Sequence, residues 1–175
     1  IVAIVDDGPT QVGVESTVVD MAADVPTILR PGAVTQQQLE DVLGIHVLDA
    51  TSTMSVADDV TPKAPGMKYR HYAPDKQVVM FDRLDALALK VSLAPTDVVM
   101  AQEETLQRMA LPLAQTWSLG TTLENATEQL FAGLRYYDDV AHVKTIYVEK
   151  MPPIGLGKAF NNRLGKASGN QEYQG

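Results

Sequence analysis

Cysteine is absent from the 175 residues, which excludes disulfides, thiolate zinc sites and a cysteine nucleophile together. Histidine occurs three times, as His46, His71 and His142; these lie far apart and none belongs to an HExxH pattern, so no zinc or other protein-held metal site is expected. There is no GxSxG elbow to carry a serine nucleophile. No apolar run approaches the roughly 20 residues of a membrane span, so no membrane partner is expected. Basic charge is also short: 14 Lys plus Arg against 22 Asp plus Glu leave a net charge of −8, against coating of nucleic acid by the overall field. The opening IVAIVDDGPT has neither a starting methionine nor a signal-peptide layout. This predicts a chain that begins inside a longer gene product, and the lack of cysteine suits a cytoplasmic location.

What is present is ordinary soluble-protein composition, 45% apolar and 21% charged, in a length that favours one domain or one domain plus a fragment of another. The charge is uneven. Residues 1–75 carry four basic and eleven acidic side chains, whereas residues 76–175 carry ten and eleven. Two stretches oppose the acidic background, from Lys63 to Lys76, where aromatics interleave, and from Lys144 to Lys166. Either can meet a phosphate; solvated lysines on a plain surface are the alternative.

Apolar runs at 1–5, 12–21 and 27–30 read as strands, the last ending at Pro31-Gly32. Thr35 and Gln38 form a capping-box pair that predicts a helix over 36–43, stopped by Gly44. From about residue 49 to 75 periodicity vanishes, as in a long linker or lid. Strands are then predicted at 77–81, 97–101, 116–119 and 145–148, separated by helices at 84–91, 103–109 and from a Thr121/Glu124 cap to about 138, with a last helix at 158–167. This alternation implies a small α/β domain with a mostly parallel sheet in three layers.

Ser16 and Thr17 place two hydroxyls in an apolar stretch, and Arg30 closes the next strand. Hydroxyls with a planar guanidinium suit a carboxylate or phosphate ligand; a cross-strand Ser/Thr pair with a surface arginine is the other reading. Gly155 and Gly157 precede the last helix, with Lys158 and Arg163 following, as in an anion-binding turn. Phe160 occupies the place where a dinucleotide fingerprint needs a small residue, which leaves a tight packing turn or a surface touching RNA phosphates.

VGVESTVVD, ILRPGAVT, APGMKYRHYAP and GLGKAFNNRLGKAS, in that order, resemble the second half of two-domain L-threonylcarbamoyl-AMP synthases. The resemblance implies that residues 1–46 are the tail of a YrdC-like catalytic α/β domain, 47–75 a linker and active-site lid, and 76–175 a Rossmann-like C-terminal domain. It implies synthesis of threonylcarbamoyl-AMP and pyrophosphate from L-threonine, bicarbonate and ATP with Mg2+, for threonylcarbamoyl-adenosine modification of tRNA. Ser16, Thr17 and Arg30 then match threonine- and nucleotide-binding positions, and Tyr69, Arg70, His71 and Tyr72 match the lid. Two departures stand out. Asp6-Asp7-Gly8 replaces the family's usual Asp-Gly-Gly, and the family's Lys-Arg and later Ser/Asn motifs are not in this chain, which implies that alone it is inactive and that an N-terminal catalytic half is its missing partner. A rival expectation makes residues 76–175 a docking module for tRNA or a tRNA-modification protein, through Lys158, Arg163 and Lys166; a third makes that domain a structural brace for the lid.

Overall fold

A computed structural model describes Ala3, residues 13–52 and residues 73–175. Apart from Ala3, the expected strand at 1–5 lies outside the described residues, and so do the lid residues Tyr69 to Tyr72.

The N-terminal unit is a three-stranded sheet. Strand β1 (Val18–Asp20) pairs antiparallel with β2 (Thr27–Arg30), and β2 pairs in parallel with the short β3 (Leu48–Asp49). Between β2 and β3 runs helix α1 (Gln36–Leu43). Thr35 and Gln38 cap it reciprocally, and Gly44 ends it in the left-handed conformation, as the sequence predicts. The strand expected over 12–21 is much shorter. Residues 15–17 leave the ladder because Ser16 and Thr17 bond to Arg30 and to the Val34 carbonyl instead. Conversely, β3 lies inside the expected linker. The N-terminal unit therefore continues to residue 52, with Val47 fully buried in it.

Residues 73–175 build an all-parallel sheet of β4 (Gln77–Phe81), β5 (Asp97–Ala101), β6 (Thr116–Ser118) and β7 (Thr145–Glu149), in the order β4-β7-β5-β6. Alternation along each strand sorts the side chains onto two faces. Val78, Met80, Val98, Met100, Ile146 and Val148 point to one cluster, covered by α4 (Leu123–Asp138) and α5 (Leu156–Ser168). Phe81, Val99, Ala101 and Tyr147 point to the other, where α2 (Ala86–Ser92) and α3 (Glu103–Met109) contribute Ala86, Leu89, Leu106 and Met109. The three-layer α/β arrangement follows from this double-sided burial.

Two element starts shift from expectation. A 3-10 turn at Arg83–Asp85 precedes α2, and α4 is capped by Thr122, whose hydroxyl accepts from the Asn125 amide, rather than by a Thr121/Glu124 box. The open side of β4 is covered by the chain's end: Met80 donates to the Gln171 carbonyl at 2.9 Å and accepts from the Tyr173 amide at 2.7 Å. An uncovered edge strand would offer its amides to other chains.

Candidate functional site

The expected hydroxyl and arginine groups converge. Arg30 donates from Nε to the Ser16 carbonyl at 3.1 Å and from an Nη to Ser16 Oγ at 3.2 Å, while Thr17 Oγ1 donates to the Val34 carbonyl at 2.7 Å. The pairing explains the aim of Arg30. Register passes from Val18↔Arg30 to Val19↔Ile28, leaving Leu29 as an extra residue, and such a bulge re-aims neighbouring side chains. Gly32 is required beside it, because a Cβ there would lie 2.3 Å from the Glu15 carbonyl and 2.4 Å from the Thr17 amide nitrogen. Ser16 is exposed and Arg30 half-buried, so the pair is a surface on which hydroxyl and guanidinium sit together.

Behind this surface stands Arg163 of α5, 3% exposed. Its Nε bonds the Glu15 carboxylate, one Nη reaches Asn162 Oδ1 at 2.8 Å, and the other reaches the Pro31 carbonyl at 3.3 Å. Burial opposes the charge on Glu15, but the Arg163 hydrogen bond and the charges of Arg163 and Arg30 hold its pKa below the ordinary value. Lys166, one turn on from Arg163, feels burial first and then the two arginines, with Glu15 pulling the other way. Its pKa is lowered.

The remaining residues of the anion-binding expectation face the same junction. Lys158 Nζ bonds Asp49 at 3.1 Å, and Asp49, also bonded by the Thr51 hydroxyl, keeps a lowered pKa despite its burial. Gly155 caps α5 at φ +51°, and a Cβ on Gly157 would lie 2.0 Å from the Pro152 carbonyl. The close approach is that of a packed turn. The cations Lys158 and Arg163 do meet anions, but the anions are the chain's own carboxylates. A cleft of about 290 Å³ lies at this junction, where Ile28, Val34 and Ile154 line it together with Thr35, Glu40, His46, Asp49 and Lys158. Glu40 accepts from the Val47 amide and pairs with His46 Nδ1 at 2.6 Å on its rim.

Sequence reasoning missed Glu15 and Asp49. Glu15 carried a signal, since a carboxylate among apolar residues next to two hydroxyls needs a partner. Among the described residues no three His, Asp or Glu side chains converge as a metal cage, and no helix is long and apolar enough to cross a membrane.

The family described as threonylcarbamoyl-AMP synthase, C-terminal domain, matches residues 34–169. Threonylcarbamoyl-AMP synthase of Bacillus subtilis is 36% identical over 177 residues, covering 98% of this chain and 50% of that protein. That of Pyrococcus abyssi is 36% identical over 173 residues, covering 95% and 49%. A crystal structure of P. abyssi Sua5 complexed with L-threonine superposes with a TM-score of 0.74 at 34% identity, covering 97% of this chain and 50% of that one. A variant of the same protein with an adjacent His-Tyr pair changed to alanine gives a TM-score of 0.74 at 33% identity, covering 94% and 48%. The chain spans about half the length of the curated relatives it matches. It belongs to the threonylcarbamoyl-AMP synthase family and corresponds to the half that carries the family's C-terminal domain.

Proposed function

We propose that this chain supplies one wall of the substrate site of an L-threonylcarbamoyl-AMP synthase, together with the domain that holds that wall in place. In the overall reaction the L-threonine amine and bicarbonate form a carbamate with loss of water, and a carbamate oxygen anion then displaces pyrophosphate from the α-phosphorus of ATP, a nucleotidyl transfer that yields threonylcarbamoyl-AMP. The product serves threonylcarbamoyl-adenosine modification of tRNA. The observation that carries this reading is the Ser16–Arg30 pair, built by a bulged strand and a Gly32 close approach, in a chain 34% identical to a protein crystallised with L-threonine. A hydroxyl and a guanidinium side by side recognise a carboxylate or phosphate, and their fixed placement lets them stabilise developing negative charge without reorganisation.

The chemistry needs no covalent nucleophile, only positioned donors. Magnesium would enter with ATP and would offset phosphate charge as pyrophosphate leaves. Tyr69, Arg70, His71 and Tyr72 remain the proposed lid; His71-Tyr72 is this chain's one His-Tyr dipeptide, the pair type altered in the P. abyssi variant. The geometry favours the bracing role of residues 76–175 over the tRNA-docking one, because Lys158 and Arg163 turn inward onto Asp49 and Glu15. The bonds of Arg163 to Glu15 and Pro31 support the brace, and its action on the lid is part of the proposal.

The reading is tested in a polypeptide that restores the family's upstream motifs. Ser16→Ala raises the KM for L-threonine or ATP by about tenfold, the loss of one hydrogen bond to a charged group. Arg30→Lys, which keeps the charge and loses the fork, has an effect at least as large. Steady-state pyrophosphate release measures both, and unchanged constants in both variants would remove the pair from the site.

A further inference from the structure

We propose that Arg163 is a positioning residue for the Ser16–Arg30 pair, so that the seating of α5 sets the geometry of a surface that belongs to the other domain. Glu15 immediately precedes Ser16, and Pro31 immediately follows Arg30. One buried guanidinium bonds both of these neighbours, through Nε to the Glu15 carboxylate and through an Nη to the Pro31 carbonyl. The bonds leave a rigid planar group, so the separation of the two backbone segments is fixed by the shape of arginine rather than by a flexible tether. Gly32, next in sequence to Pro31, lies against the backbone of residues 15–17. Ser16 and Arg30 are therefore held by a steric stop and a two-point clamp, and the 3.2 Å bond between them is the outcome.

Arg163 bonds Glu15 and Pro31, the neighbours of Ser16 and Arg30, and its influence on the pair passes through them. A lysine at the same place carries the charge but cannot make both bonds in the fork geometry. Arg163→Lys therefore separates position from charge. A shift of a few tenths of an ångström at Ser16 is enough to weaken a hydrogen bond to a ligand, because such bonds fall off steeply with distance and angle. The consequence for substrate rests on the proposed reading of Ser16 and Arg30; the consequence for their geometry does not.

The experiment has two readouts. In the 175-residue chain, amide hydrogen exchange at residues 15–18, Arg30 and Gly32 becomes about tenfold faster in Arg163→Lys, the loss of roughly one charge-assisted hydrogen bond, while amides of β5 and β7 keep wild-type protection. Glu15→Gln, which approaches the clamp from its other end, speeds exchange at residues 15–18 by more than it speeds exchange in β5 and β7, and keeps the test available if the lysine variant folds poorly. In the polypeptide with the upstream motifs restored, Arg163→Lys raises the KM for L-threonine more than it lowers kcat. Wild-type exchange at residues 15–18 in both variants overturns the proposal, and so does a loss of protection spread equally over β5 and β7, which marks a purely structural role. If Ser16→Ala and Arg30→Lys leave KM unchanged while the exchange pattern appears, the substrate reading fails and the positioning stands.

Discussion

Glu15 carries its charge against burial, and the pH dependence of the fold records that conflict. The Arg163 hydrogen bond and nearby positive charge lower its pKa beneath the ordinary 4.5. A carboxylate with a depressed folded-state pKa contributes stability that is complete above its unfolded value and is lost as pH falls through the folded one. At neutral pH, Glu15→Gln leaves Arg163 buried without its counter-ion. It is expected to cost about 1–3 kcal/mol, less than for a fully buried pair because the Glu15 side chain is 32% exposed. The gap between wild type and variant narrows from about pH 5 downward, as the wild-type carboxylate protonates. Thermal melts between pH 3 and 7 measure it, and a gap independent of pH contradicts the account. Comparing two chains matters because Glu149 works in the opposite sense. Burial raises its pKa although the Gln102 amide and Thr105 hydroxyl oppose the shift, so its contribution falls as pH rises.

The elements differ in how much of themselves they announce. Helix α1 and strand β5 are legible because capping chemistry and an unbroken apolar run are local signals, and both match expectation to the residue. Strand β3 is illegible, since two residues have no periodicity and are defined only by β2 beside them. The closing segment Gln171–Tyr173 is illegible for the same reason. Its sequence says nothing of strand, yet it pairs with Met80 and places Tyr173 against Tyr147 at a ring separation of 6.3 Å. Deleting residues 171–175 is expected to destabilise the chain by about 1–2 kcal/mol through lost aromatic burial and hydrogen bonds. It also opens the β4 edge, so the truncated chain associates at concentrations where the intact chain does not. Urea denaturation and sedimentation check the two effects, and an unchanged midpoint removes the segment from the fold's support.

Across the whole molecule, the site was half legible. Ser16, Thr17 and Arg30 stand out as polar groups in apolar strands, and ordered motifs suffice to place the chain in its family. The partnership of Arg163 with Glu15 spans 148 positions and has no local signature. Composition reads Arg163 and Lys158 as loose cations open to an external anion, and only the tertiary fold shows them turned onto Glu15 and Asp49. The same fold ties residues 13–52 to residues 73–175 through the α5 ion pairs, which is what supports the proposed bracing role. The central claim, that this chain is one half of a threonylcarbamoyl-AMP synthase site, is tested most directly by L-threonine- and ATP-dependent pyrophosphate release. The assay compares the 175-residue chain alone with the same chain in a polypeptide that restores the family's Lys-Arg and Ser/Asn motifs. The account predicts no turnover from the first and threonine-dependent turnover from the second; turnover by the chain alone, or none from the folded longer polypeptide, would contradict it.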